Sequence, residues 1–332
     1  MSVAVMVNLR SRGGSEAIGR LVRAMLPRAR IAVTRSLDEA REWIQREILP
    51  NPPSLLLSGG GDGTAVSLLT ELRATGAALP PIGLVPLGTG NGWANVTGAP
   101  RPRRAFEAIA SLEGQAPPLR RFSLVEVEGR LTPFAGTGWD AELVSDYQKQ
   151  LAALPLALRE KQSPMVGYMR SLFTKTIPRH LFGHEPAQVR LIDLGGDAHV
   201  VDADGRVQRI VGDTRGRVLH EGPVSVAGAG TSTELGLGFK AFPFAHALPG
   251  HMAVRVYGAT PMEATRNLRR LWRGEHPMPH SHDYLLTRCR MELDRPVPVE
   301  VGGDVIGDRT SIEFAMADER VDLVDWSRLR AA

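Results

Sequence analysis

The sequence predicts an α/β domain built on a parallel sheet, followed by a second, mainly antiparallel β domain. Three observations carry this expectation. Strand and helix signals alternate over the first ~115 residues. That alternation stops after Gln115-Ala116-Pro117-Pro118 and gives way to short strands with turn signals between them. Two strands of the first half end in glycine-rich turns one βα unit apart.

In the first half, Val3–Val7, Arg30–Val33, Leu55–Leu57 and Ile82–Val85 are short β-rich apolar runs and read as strands. Between and after them, Ser15–Leu26, Leu37–Glu47, Ala65–Thr75 and Arg103–Leu112 carry helical periodicity. Asn51-Pro52-Pro53 and Pro80-Pro81 punctuate the units. In the second half, Phe122–Glu128, Val189–Asp193, Arg206–Val211, Val224–Ala227, Met252–Tyr257, Arg288–Leu293 and Pro298–Val301 read as strands. Helical patterns interrupt them over residues 144–183, including Leu151–Arg159 and Met165–Thr174.

Composition bounds the function. The 332 residues suffice for two cores, and 43% hydrophobic with 23% charged residues is a globular balance. One cysteine, Cys289, excludes an intramolecular disulfide and fits a reducing compartment. A strand begins within three residues of the start, so no signal peptide is expected, and no apolar run is long enough for a membrane span. A net charge of +4 suits anionic lipid headgroups or nucleotides. The basic residues are scattered, without a recognition-helix or zinc pattern, so no specific nucleic acid is expected as partner. The nine histidines show no metal-ligand spacing, and His276, His280 and His282 read as a surface loop among prolines.

The chemistry is concentrated in Leu55-Leu56-Leu57-Ser58-Gly59-Gly60-Gly61-Asp62-Gly63-Thr64. A buried strand that breaks into glycines exposes backbone N–H groups in a concave turn, and the following helix aims its positive end there. Gly60, Gly61 and Gly63 thus offer backbone donors and Thr64 a hydroxyl. Asp62, in the middle of an anion cradle, points to a metal ion or a reacting hydroxyl, the competing reading being a cap for its own helix. The combination reads as phosphoryl transfer. The lysine-bearing P-loop pattern is absent. A second loop, Pro86-Leu87-Gly88-Thr89-Gly90-Asn91, follows the next strand, and Asn8-Leu9-Arg10-Ser11-Arg12-Gly13-Gly14 follows the first.

Together Asn8 to Arg12, Gly60 to Thr64 and Pro86 to Asn91 resemble the diacylglycerol kinase catalytic-domain family, within the NAD kinase-like superfamily. That family carries N-P-x-S-G, then G-G-D-G-T, then P-x-G-[ST]-x-N. The resemblance implies a nucleotide domain over residues 1–117, rejoined by 311–332, and a β-rich lipid domain over 118–310, with a cleft between them. It implies that Asn8, Ser11, Thr34, Gly88, Thr89 and Asn91 line the ATP pocket with the Gly60–Thr64 loop, and that Asp62 acts at Mg²⁺ and the phosphates. It also places Asp140, in Gly138-Trp139-Asp140-Ala141, near the acceptor's polar head, where an N-cap is the alternative. Asp304 stands where the family's D-G-E segment has its Glu, and is implied as catalytic proton acceptor.

Three departures accompany the resemblance. Gly302 stands where the Asp of D-G-E belongs, Pro249 stands in the acidic slot of a P-x-A…D-G run, and Leu9 and Arg12 replace the Pro and Gly of the first turn. A structural Mg²⁺ at Pro249 is therefore not expected. Leu151–Leu158 and the stripe Met165, Tyr168, Met169, Leu172 and Phe173 read as core, or as a slot or surface for lipid. The implied activity is that of an ATP-dependent lipid kinase acting on a hydroxyl of a lipid such as diacylglycerol or a sphingoid base, cytoplasmic and at the membrane surface. The alternatives are a kinase of NAD or another soluble alcohol, and a nucleotide- or lipid-binding protein that has lost catalysis.

Overall fold

Strand β1 (Val3–Asn8) is the centre from which the first unit is laid out in the computed structural model, which describes residues 1–154, 164–176, 178 and 186–331. It pairs in parallel with β2 (Arg30–Thr34) on one side and β3 (Leu55–Gly60) on the other, and β3 pairs in parallel with β4 (Ile82–Pro86). Near the C-terminus, Leu323 adds in parallel beside Ile82. These strands belong to a compact unit made of Met1–Ser123 and Glu319–Ala332. All of β3 is buried, as expected of a central strand in a parallel sheet covered by helices.

The helices of this unit are α1 (Glu16–Met25), α2 (Leu37–Trp43), α3 (Asp62–Ala74), α4 (Gly92–Val96) and α5 (Pro102–Ala110). Ser15 caps α1 by accepting from Ile18 N at 3.3 Å, and Ser36 caps α2 by accepting from Glu39 N at 3.2 Å. The expected Leu37–Glu47 helix widens into a π-turn over Ile44–Ile48, which keeps both isoleucines buried. Helix α3 begins three residues before the expected Ala65, because Gly61 takes the N-cap position. The core gathers Val5, Val7, Leu57, Val85, Phe106 and Trp326. Trp326, from the last helical turn of the chain, is fully buried.

Leu124–Asp318 form a second compact unit. Its strands are the end of β5 (Leu119–Val127), β6 (Arg130–Thr132), β7 (Phe134–Gly138), β8 (Ala187–Asp193), β9 (His199–Val201), β10 (Val207–Arg209), β11 (Val218–Val224), β12 (Val226–Gly230), β13 (Met252–Tyr257), β14 (Ser281–Leu286), β15 (Arg288–Val301) and the first part of β16 (Asp304–Val324). They pair antiparallel in the order β10-β9-β14-β13-β12-β7-β15-β16, with β8 on β15 and β11 on β8. The helices are α6 (Trp139–Ala152), α7 (Pro164–Ser171), α8 (Pro261–Arg266) and α9 (Leu268–Trp272).

Three expectations change here. Val224–Ala227 is not one strand: β11 ends at Val224 and β12 starts at Val226, with Ser225 as the corner. Arg288–Leu293 and Pro298–Val301 are one strand, since Pro296 falls where its register shifts, between Glu292 and Val297, and Pro298 pairs in register with Asp308. Of the helix expected over Leu151–Arg159, α6 supplies only Leu151 and Ala152, and residues 155–163 lie outside the described ones.

Trp326→Ala removes the largest C-terminal contribution to the first core and is expected to cost about 3–5 kcal/mol. Urea denaturation reads this, and an unchanged midpoint would mean that the C-terminal segment does not hold that core together.

Candidate functional site

In the first unit, β1, β3 and β4 all end at the same edge of a parallel sheet, where ligand crevices form. Three turns meet there. Asn8 Nδ2 donates to Thr64 Oγ1 at 2.9 Å, and Ser11 Oγ lies 3.4 Å from the same oxygen. Asn8 Oδ1 accepts from Arg10 N at 2.9 Å, which folds the first turn back on itself. Thr34, at the end of β2, is buried in register beside Asn8. Gly60 O accepts from Leu87 N at 2.8 Å and Gly88 N at 3.1 Å, and Leu87 O accepts from Gly13 N at 2.8 Å.

Asn91 closes the third turn. Its Oδ1 accepts from Gly88 N and its Nδ2 donates to Gly88 O, both at 2.9 Å. A single amide thus needs an acceptor and a donor at once, and the backbone there is left-handed (φ 51°), which asparagine tolerates. Thr89 lies in the bend so formed and is partly buried. The glycines are required by space. A Cβ on Gly60 would lie 2.4 Å from Thr64 Cβ, and one on Gly88 would lie 2.3 Å from Gly61 Cα.

Asp62 is 9% exposed and is the first residue of α3. The cap of α3 is Gly61, without a side-chain bond. The Asp62 carboxylate instead crosses to the neighbouring turn, where Oδ2 accepts from Gly92 N at 2.8 Å and Oδ1 from Trp93 N at 3.1 Å. It therefore caps the start of α4 and fixes the Gly88–Asn91 loop against the Gly60–Thr64 loop. Gly63 and Thr64 follow in the first turn of α3, at its positive end. The sheet edge thus brings together Asn8, Ser11, Thr34, Gly60, Gly61, Asp62, Gly63, Thr64, Gly88, Thr89 and Asn91.

Residues 2–121 match the diacylglycerol kinase catalytic domain. Two solved structures from Bacillus anthracis str. Sterne that carry diacylglycerol kinase in their names are similar over nearly the whole chain. One has 16% sequence identity and a TM-score of 0.65, the other 14% and 0.60. Each match covers 97% of this chain and 96% of that one. At this identity the likeness is one of fold. No curated protein matches the sequence.

The second unit holds the other acids singled out in the sequence. Asp140 is the second residue of α6, whose N-cap is Gly138, so it does not cap its helix. Its Oδ1 accepts from Ala141 N at 2.8 Å. Burial pushes its carboxyl up to about 7, against the pull of the Ala141 bond, with Glu142 adding to the rise. Asp140 lines a narrow pocket with Val226, Phe239, Phe242, Tyr257 and Leu271, which has room for little more than one water molecule. Asp304 ends the two-residue turn between β15 and β16 and is exposed. Desolvation pushes its carboxyl up and Arg130 opposes this, while its open surface limits how far it moves.

Asp140 and Asp304 lie toward opposite ends of β7, which spans ~13 Å. Gly302 N donates to Phe134 O at one end, whereas the Asp140 carboxylate folds back over Gly136, where a Cβ would lie 3.3 Å from Oδ2. Two features escaped the sequence reading. Glu300, only 4% exposed, pairs in register with Gly136 and so occupies the face toward which Asp140 folds. Arg255 and Asp283, 6% and 5% exposed, pair across β13 and β14 through bonds of 2.7 and 2.9 Å, and Arg255 lines the pocket. An acid and a base placed singly in two apolar runs were the available signal.

Of the surface loop expected over His276, His280 and His282, His276 and His280 do lie in the connection before β14, with His280 exposed, whereas exposed His282 belongs to the strand itself. His276 is partly buried between Asp283 (Nδ1 to Oδ2, 3.3 Å) and Phe244. Buried Cys289 fits a packing role, its thiol pushed far up by burial.

Two outcomes follow. Asp62→Asn leaves one backbone N–H facing another donor and is expected to lower stability by about 1–3 kcal/mol, read by denaturant unfolding. Asp140 is held neutral in the fold to about pH 7, whereas in the unfolded chain it ionises near 3.8. Its contribution to stability is therefore complete below about pH 4 and is lost as pH rises toward about 7, by at most ~4 kcal/mol. Asp140→Asn flattens the stability–pH curve in that window. A curve identical to wild type would show that Asp140 ionises normally.

Proposed function

We propose that the chain is an ATP-dependent lipid kinase that phosphorylates a hydroxyl of a lipid such as diacylglycerol or a sphingoid base. The observation that carries this reading is the three-turn cradle of glycine, threonine and asparagine at one sheet edge, within residues that match a diacylglycerol kinase catalytic domain. The contacts of Gly60 with Thr64 and of Gly61 with Gly88 leave no room for a Cβ and hold the two turns together at the positive end of α3, which supports phosphate oxygens meeting backbone N–H groups there. Asn8, Ser11, Thr34, Thr64 and Thr89 would hold the nucleotide with that backbone. When bound, ATP supplies the transferable phosphoryl group and Mg²⁺ offsets its charge. Asp62 already accepts two backbone bonds, so its first role is to hold the two loops in register, with Mg²⁺ arriving on the nucleotide.

On the acceptor side, Asp140 fits the role of base. A carboxyl poised near neutrality inside an apolar pocket holds a hydroxyl by its proton and accepts that proton as the oxygen attacks. Asp304 is the second candidate. Contact with a membrane surface is supported by Val166 and Phe173, which are 61% and 52% exposed on α7 and the turn after it, near Arg170 and Lys175. No helix of the described residues is long and apolar enough to cross a membrane. Gly302, in place of an acid, favours a second reading, a nucleotide-binding protein without catalysis.

The deciding experiment follows labelled γ-phosphate from ATP, with Mg²⁺, into the organic phase of a total lipid extract. Wild type is expected to label lipid, with a rate that rises with pH through about 7 as Asp140 ionises. Asp140→Asn should lower transfer ~10²–10⁴-fold and abolish that rise. A rise that survives in Asp140→Asn but disappears in Asp304→Asn would move the base to Asp304. Label on NAD or another soluble alcohol alone would select a soluble acceptor. ATP binding without transfer would select the binding protein.

A further inference from the structure

Three side chains of metal-ligating type converge in the second unit, His251 directly after the run that carries Pro249 and the other two away from any motif. Asp197 lies two residues before His199, which opens β9, and His251 immediately precedes β13. Strand β14 runs between β9 and β13, with Leu285 paired to His199 on one side and Ala253 on the other. His251 is two residues from Ala253 and Asp197 two from His199. The alternation of a strand therefore sends all three side chains to one face. One ligand atom from each residue lies within 4.8 Å of the others.

The hydrogen bonds around this group leave two buried ring nitrogens within it unpaired. His251 Nδ1 lies 3.2 Å from Pro249 O, which makes Nδ1 the donor and leaves Nε2 with its lone pair. His251 Nε2 is buried, lies 3.4 Å from Asp197 Oδ2, and is too far out of line to bond to it. His199 Nδ1 is also buried without a hydrogen-bond partner. The two rings meet edge to face with centroids 5.1 Å apart. Arg209, paired with His199 across β10 and β9, occupies only the other carboxylate oxygen, Nε to Oδ1 at 2.9 Å.

A protonated histidine bridging to Asp197 would not account for this arrangement. Such a bridge needs Nε2–H directed at the carboxylate, and it would still leave His199 Nδ1 without a partner. A metal ion satisfies all three atoms. Two ligands bonded tetrahedrally at about 2.0–2.1 Å lie roughly 3.3 Å apart, close to the 3.4 Å between His251 Nε2 and Asp197 Oδ2. Pro249 O and Arg209 supply the outer contacts that orient a ligating imidazole and carboxylate.

We propose that Asp197, His199 and His251 form a binding site for a divalent first-row transition ion, zinc in the first instance, with the fourth position open to water. Two imidazoles and one carboxylate suit zinc and exclude a hard cation such as Mg²⁺, which takes oxygen ligands. The ion clasps the Pro249–His251 turn to the start of β9. This site is independent of the phosphoryl-transfer reading.

The test uses the full chain, stripped with a chelator and dialysed. Titration with CoCl₂ is expected to give a visible d–d absorption band that saturates at one equivalent and is displaced by ZnCl₂. ZnCl₂ should raise the melting temperature where MgCl₂ does not. His251→Ala and His199→Ala should lose the band and the shift, with affinity at least ~100-fold weaker. His282→Ala should keep both. Circular dichroism of the metal-free variants establishes folding, and Asp197→Asn replaces either histidine variant that does not fold. A folded wild type without a band, or equal titration of the wild type and the His251 variant, overturns the site.

Discussion

Two backbones without side chains set the geometry of the first unit. A methyl group on Gly88 would lie 2.3 Å from Gly61 Cα, and one on Gly61 would lie 3.1 Å from Gly88 Cα. Contact that close lets Gly60 O receive both Leu87 and Gly88 N–H groups, so the turn after β4 continues the ladder of β3 beyond the sheet. Asn91 then folds the rest of that turn around Gly88, and Thr64 receives Asn8 from the other side. Any side chain at the contact would separate the turns and undo each of these bonds.

The same contact explains why an acid stands inside an anion cradle. Asp62 heads α3 and accepts the first N–H groups of α4, so its charge is met by two backbone donors and by the positive ends of two helices. A carboxylate so engaged repels an incoming phosphate far less than an unpaired one. It also makes the spacing between the two loops a property of the fold. Of the sequence readings of Asp62, a metal ion, a reacting hydroxyl or a cap of its own helix, the structure corrects the cap, since its bonds run to the neighbouring loop.

Legibility followed the range of the interaction. The parallel strands were plain, since Val3–Val7 and Leu55–Leu57 announce burial by composition. The cradle residues were legible because strand-to-turn breaks at Asn8, Gly60 and Gly88 are local signals. What the sequence withheld depends on register across the sheet. Glu300 meets Gly136 only because β15 pairs with β7 in one register, and Arg255 meets Asp283 only because β13 pairs with β14 in another. Asp197, His199 and His251 carry no ligand spacing, because β14, inserted between their strands, comes from a later part of the chain. Val224–Ala227 failed for a smaller reason: a corner at Ser225 leaves no trace in hydrophobicity.

The acids of the second unit show how position on one strand divides their chemistry. Gly302 and Gly303, with φ of 58° and 91°, provide the positive dihedrals that a two-residue hairpin of the primed type needs. Aspartate tolerates the left-handed region, so this turn does not by itself require glycine at 302. Asp304, beside that turn, keeps its access to water. At the middle of β7, Gly136 leaves the space into which the Asp140 carboxylate folds, while apolar walls withhold solvent from it. Desolvation moves both carboxyls toward neutrality, Asp140 up to about 7 inside its pocket and Asp304 against the opposing charge of Arg130. The two acids thus share the direction of the shift and differ in exposure, Asp140 enclosed and Asp304 open at the turn.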